Sequence, residues 1–112
     1  MQPLADFFNE AEAGLGHLLV DSLPEDVVVI FDLVGDGGGV WAVRRFGPRV
    51  AIRAEQVSHY DCRLTCDVDD FRALIAGDLS SRVGFMDGRL KVEGDVGLVL
   101  RLERAVRKRQ AG

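Results

Sequence analysis

Apolar positions along the chain change their period repeatedly, and each change marks an element. From Pro3 to Val20, the residues Leu4, Phe7, Phe8, Ala11, Leu15, Leu18 and Leu19 recur at helical spacing. This predicts an N-terminal helix over about residues 3–20, with Pro3 in its first turn. Gly14 and Gly16 each weaken the second half by roughly 1 kcal/mol relative to Ala, so a bend or early end is expected there. Asp21-Ser22-Leu23-Pro24 then breaks the pattern.

The next segments alternate. VVVIFDLV puts Val27, Val29, Phe31 and Leu33 on one face, and Val28, Ile30 and Val34 make the other almost as apolar, interrupted by Asp32. That composition suits an interior strand covered on at least part of both faces. Gly35-Asp36-Gly37-Gly38-Gly39 supplies a hairpin loop into a second strand, VWAVRRF. A phosphate-binding loop would lead into a helix and carry a motif that is missing here. Gly47-Pro48 turns the chain into RVAIRAEQ, with Val50, Ile52 and Ala54 inward, and DCRLTCDV follows as a fourth strand. Asp67 or Asp69 can cap a helix, VDDFRALIAG, whose stripe is Val68, Phe71, Leu74 and Ile75 and whose end is Gly77. Ser80 can cap a shorter helix, SSRVGFM, bringing Val83, Phe85 and Met86 inward. Asp87-Gly88 turns into RLKVE, with Leu90 and Val92 inward. The last helix follows Gly94-Asp95, with Leu98, Val99, Leu102, Ala105 and Val106 on one face and Arg101, Arg104 and Lys108 opposite.

Composition narrows the classes. A chain of 112 residues suits one domain with a single core. No apolar run approaches the roughly 20 residues of a membrane-spanning helix, and the N-terminus has no basic region leading into an apolar stretch. A soluble cytoplasmic protein is the expectation. The net charge of −4 gives general nucleic-acid binding no support. Cys62 and Cys66 share one strand face, about 13 Å apart along the strand, too far for a disulfide. Only His59 is close enough in sequence to join them at a metal, so two buried thiols and no metal or other cofactor are expected.

The same residues offer little to catalysis. Ser58, His59, Tyr60 and Asp61 are adjacent on an extended segment, so their side chains alternate between faces and cannot assemble as a triad. His17 reads as a helix-surface residue, and Asp69-Asp70 as helix-start chemistry. Asp32 in an apolar strand needs a cationic partner, exposure on an uncovered face, or a place as a polar handle at a cavity mouth. No catalytic residue is assigned.

The order of parts carries a resemblance. A hairpin-rich sheet, the capped helix DVDDFRALIAGDL, then FMDGRLKVEGD leading into VGLVLRLERAV resembles the sterol carrier protein type 2 family from about Val27 to Val106. FMDGRLKVEGD matches that family's aromatic-Met-x-Gly-Lys-Leu-Lys-x-x-Gly-Asp pattern, with Arg89 in place of the first Lys. The resemblance implies an α+β fold, a five-stranded, largely antiparallel sheet with helices over one face and an apolar tunnel between the layers. One domain, 1–112, then comprises the N-terminal helix and a core of about 27–106. It also implies non-catalytic binding, transfer or presentation of an apolar lipid. The C-terminal RQAG is no peroxisomal address, and the excess of Arg over Lys is compatible with a GC-rich bacterial genome. An acyl chain, phospholipid or isoprenoid then becomes the expected cargo.

Lipid contacts are expected from Phe71, Leu74, Ile75, Phe85, Met86, Leu90, Leu98 and Leu102, all of which could equally serve as plain core. Arg101, Arg104, Arg107, Lys108 and Arg109 stand against Glu103 alone; they complement the helix dipole or dock transiently on an anionic membrane surface. The alternative function is an accessory module with a filled cavity that docks a partner protein; a homodimer through the bare sheet face is also open. A continuous apolar cavity of about 300 Å³ or more would favour the carrier.

Overall fold

The computed structural model describes residues 3–14 and 16–111, except for the side chains of His17, Arg109, Gln110 and Ala111. The N-terminal segment forms two helices, α1 (Leu4–Gly14) and α2 (Gly16–Ser22), parting at the expected glycines. The sheet comprises β1 (Val28–Val34), β2 (Gly39–Phe46), β3 (Arg49–Arg53), β4 (Cys62–Asp67) and β5 (Lys91–Gly94). Three further helices follow or interleave: α3 (Val68–Ala76), α4 (Ser81–Met86) and α5 (Val96–Ala111).

Strand order is β3-β2-β1-β4-β5. Every neighbouring pair is antiparallel except β1 and β4, which run parallel at the centre. A parallel connection ordinarily needs a dozen or more residues, because the chain must return along the sheet. Here residues 54–61 suffice, and the register shows why. Arg53, at the end of β3, is level with Ala42 and hence Ile30, while Cys62 at the start of β4 is level with Val29. The connector moves sideways rather than back. It is pinned on arrival by Asp61, whose N–H donates to Val28 O at 2.9 Å and whose carboxylate accepts from Val28 N at 2.8 Å.

One sheet face carries Val29, Phe31, Leu33, Val43, Ile52, Leu64 and both cysteines, and the helices bury it. Phe8 of α1 stands at the centre of an aromatic cluster, stacked on Trp41 at 4.7 Å and on Phe71 at 5.7 Å, with Phe31 at 5.8 Å. The other face presents exposed Arg44, Phe46, Lys91 and Glu93. Asp32 finds its cationic partner there, in Arg63 of the adjacent strand. Ile30 is nonetheless buried, in register with Ala42 and Arg63.

Caps end the helices where the residue types allow. Asp67 accepts from Asp69 N at 2.9 Å to begin α3, and Gly77, with φ of 85°, ends it. Ser80 caps α4 by accepting from Val83 N at 3.2 Å. Gly94 has φ of 90°, and a Cβ there would meet Asp61 O at 2.2 Å, so only glycine lets β5 close against β4.

Three residues expected inward need correction. Ala54 lies beyond the end of β3 and is exposed. In α4, Val83 is 48% and Met86 86% exposed, and only Phe85 is half-buried. The face of α4 that packs is Ser81, Gly84 and Phe85, because Leu90 fills the space at Gly84, where a Cβ would meet its Cγ at 2.6 Å. Val83 and Met86 fall on the opposite side of the turn.

Candidate functional site

Between the covered sheet face and the helices lies a partly open apolar cavity of about 80 Å³. The sheet contributes Phe31, Val43, Ile52 and Leu64; α1 and α2 contribute Phe7, Phe8, Ala11 and Leu19. Phe71, Leu74 and Ile75 of α3 and Val99, Leu102 and Val106 of α5 complete the apolar wall. This volume is below the roughly 300 Å³ at which ligand pockets begin and does not reach the size that would favour the carrier.

Of the residues expected at a lipid site, Phe71, Leu74, Ile75 and Leu102 line the cavity together. Leu90 and Leu98 are buried but outside its lining, and neither Phe85 nor Met86 reaches it. The wall contributed by the N-terminal helices and the sheet was missed. The sequence showed these N-terminal residues only as a helical apolar stripe, which does not tell a cavity wall from plain core.

Among the described residues, the lining contains one polar side chain, Glu103. Residues 99, 102, 103 and 106 share a face at helical spacing, so Glu103 interrupts an otherwise apolar stripe. Its side chain is 17% exposed and is held by the start of α4. Ser81 N donates to Oε2 at 2.9 Å, Ser81 Oγ donates to Oε1 at 2.7 Å, and Arg107 Nη2 lies 3.4 Å from Oε2. Ser81 is fully buried, and Glu103 satisfies both its hydroxyl and an orphan helix-start amide.

The residues considered for catalysis are dispersed. Tyr60 donates to Glu93 Oε2 at 2.9 Å, which raises its pKa, and Asp61 is committed to Val28 N. His17 lies outside the described side chains. Cys62 and Cys66 are free and buried, and burial pushes their thiols up to about 11 and about 12. Among the described residues, no group of three or more His, Cys, Asp or Glu could hold a metal ion, and no helix is long and apolar enough to cross a membrane. On α5, Arg101, Arg104 and Lys108 are exposed, Arg107 is engaged by Glu103, and the Arg109 side chain lies outside the described residues.

Comparison with known proteins bears on the family and the fold. Residues 25–107 match the SCP-2 sterol transfer family. The chain is 30% identical over 103 residues to the human hydroxysteroid dehydrogenase-like protein 2, covering 85% of this chain and 24% of that protein. The mouse protein of the same name is 30% identical over 112 residues, 93% of this chain and 22% of that one. The chain thus spans about a quarter of the length of these relatives. Among solved structures, the UbiJ-SCP2 ubiquinone synthesis protein superposes with a TM-score of 0.73 at 15% identity, over 93% of this chain and 92% of that one. The apo sterol carrier protein 2 of Yarrowia lipolytica gives 0.71 at 20% identity, over 97% and 91%. Palmitated SCP2L2 of Aedes aegypti gives 0.66 at 17% identity, over 94% and 95%.

Proposed function

Because the chain belongs to the SCP-2 sterol transfer family, we propose that it binds one apolar lipid between its sheet and helices and transfers or presents it without chemical change. The observation that carries this reading is the cavity, whose wall, among the described residues, is apolar except at Glu103. Such a site needs no binding motif. Each buried methylene contributes roughly 0.8 kcal/mol, so a chain of about 14 carbons gains on the order of 10 kcal/mol. Ordering and association costs remove a large part and leave binding in the micromolar range.

The cargo is an acyl chain, a phospholipid or an isoprenoid. The palmitate named for the Aedes aegypti neighbour supports an occupant of this kind. Seating one requires more room than about 80 Å³, which a displacement of α1 from the sheet would supply. This helix packs through Leu4, Phe7, Phe8 and Ala11, is tied to β3 by the Glu12–Arg53 ion pair at 3.7 Å, and parts from α2 at a glycine. Release is assisted by the exposed Arg101, Arg104 and Lys108, each contributing about 1 kcal/mol at an anionic membrane surface.

Native mass spectrometry of the purified protein, followed by organic extraction and lipid identification, tests the reading. A stoichiometric bound lipid, or one-to-one uptake of an added acyl chain, is the expected result. A bare mass that no added acyl chain, phospholipid or isoprenoid changes would overturn it.

A further inference from the structure

The geometry points to Glu103 as the residue that selects the head group of the bound lipid, favouring an uncharged hydroxyl over a carboxylate. This rests on the lipid-binding reading above and adds a chemical class to it.

A charged side chain in an apolar wall requires an account. Part of it is structural, since Glu103 fastens α4 to α5 through both donors of Ser81. Those bonds leave acceptor capacity unused. A carboxylate offers about four lone-pair sites. Among the described residues, Oε1 accepts from Ser81 Oγ, while Oε2 takes Ser81 N and the long contact to Arg107. On the same helix face, Val99 precedes Glu103 by one turn and Val106 follows it by nearly one. A ligand chain that lies along Val99 and Leu102 and stops short of Val106 would therefore end beside Glu103.

Two head groups would meet this carboxylate differently. A hydroxyl can donate to Oε1 without disturbing Ser81, replacing a hydrogen bond it leaves behind in water. A ligand carboxylate has no proton to donate at neutral pH and would face a like charge across an apolar wall. Arg107 does not offset this freely, since it is already turned toward Glu103 and is 43% exposed to solvent. Ligands that share a chain but differ in their end should therefore separate by affinity.

The test uses dodecan-1-ol and dodecanoate at pH 7, titrated into the full chain and into Glu103→Gln. Binding is followed by Trp41, the single tryptophan, whose ring stacks on the cavity residue Phe8. Glutamine keeps an acceptor for Ser81 and adds an N–H that a carboxylate can use. The expected result is at least about tenfold tighter binding of the alcohol to the unmodified chain, shrinking to within about threefold in Glu103→Gln. Equal binding of both ligands by the unmodified chain would overturn the assignment. So would an alcohol preference that survives Glu103→Gln with an unchanged far-ultraviolet spectrum. Failure of both ligands to bind the unmodified chain would instead overturn the lipid-binding reading, and this proposal with it.

Discussion

At the scale of single residues, the chain separates groups the sequence could place from groups whose partners lie far along it. The alternation of DCRLTCDV was enough to bury Cys62 and Cys66 and to keep them unpaired. Their raised pKa values give a pH dependence with a definite sign. A thiol that ionises less readily folded than unfolded stabilises the fold below the unfolded value, and that contribution is lost as pH rises through the folded one. Stability should thus fall from about pH 9 upward, toward the values of about 11 and 12. Urea titrations of the parent and Cys66→Ala across this range check it: the variant should lose less stability per pH unit. A thiol reagent at pH 8 should label neither cysteine until denaturant is added. Asp32 is the converse case. Its need for a partner was legible, but Arg63 as that partner was not, because the two lie 31 positions apart and meet only through strand pairing. The pair is about three-quarters covered on the open sheet face, so Asp32→Asn should cost about 1 kcal/mol or less by denaturant titration.

Elements show where local signals suffice and where contact overrules them. Asp67, Gly77 and Ser80 stand where capping chemistry predicted. Asp67→Ala should cost about 1 kcal/mol of stability through the lost bond to Asp69 N, measurable by thermal or urea unfolding. In α4 the hydrophobic pattern misled. A helix of six residues has too few turns for its stripe to dominate, and its rotation is set by Ser81 on Glu103 and by Leu90 against Gly84. Gly84→Ala should therefore destabilise the protein by about 1–3 kcal/mol, since the added methyl must displace Leu90. The same substitution at an exposed helix position would be neutral or favourable. Ordinary stability at Gly84→Ala would show that Leu90 yields freely.

For the whole molecule, the functional reading depends on a layer of helices that can part from the sheet. Filling the cavity should oppose that directly. Val99→Phe introduces a ring where Leu102, Phe71 and the sheet converge, and should weaken acyl-chain uptake at least about tenfold while changing stability by less than about 2 kcal/mol. Uptake measured by native mass spectrometry alongside urea unfolding separates the two effects. Unimpaired uptake would place the ligand elsewhere. Charge on α5 acts at the same scale. Replacing Arg101, Arg104 and Lys108 by Gln should slow lipid delivery to vesicles rich in phosphatidylserine and leave delivery to phosphatidylcholine vesicles unchanged.

Periodicity, turn residues and caps by themselves determined the element order, the helix break at Gly14 and Gly16, the strand faces and most of the core, because each is decided by residues within a few positions of one another. The FMDGRLKVEGD segment carried the family, since a turn, a strand and a helix start leave little freedom in that span. Tertiary structure alone decided the parallel pairing of β1 with β4, the outward turn of Met86, the aromatic wall supplied by α1 and the position of Glu103 in the cavity. Each of these is a contact between segments distant in sequence, where side-chain volume and unpaired polar groups settle the geometry. Glu103 shows the division most plainly: in the sequence it is one acid among arginines, and in the fold it is the polar point of an apolar wall.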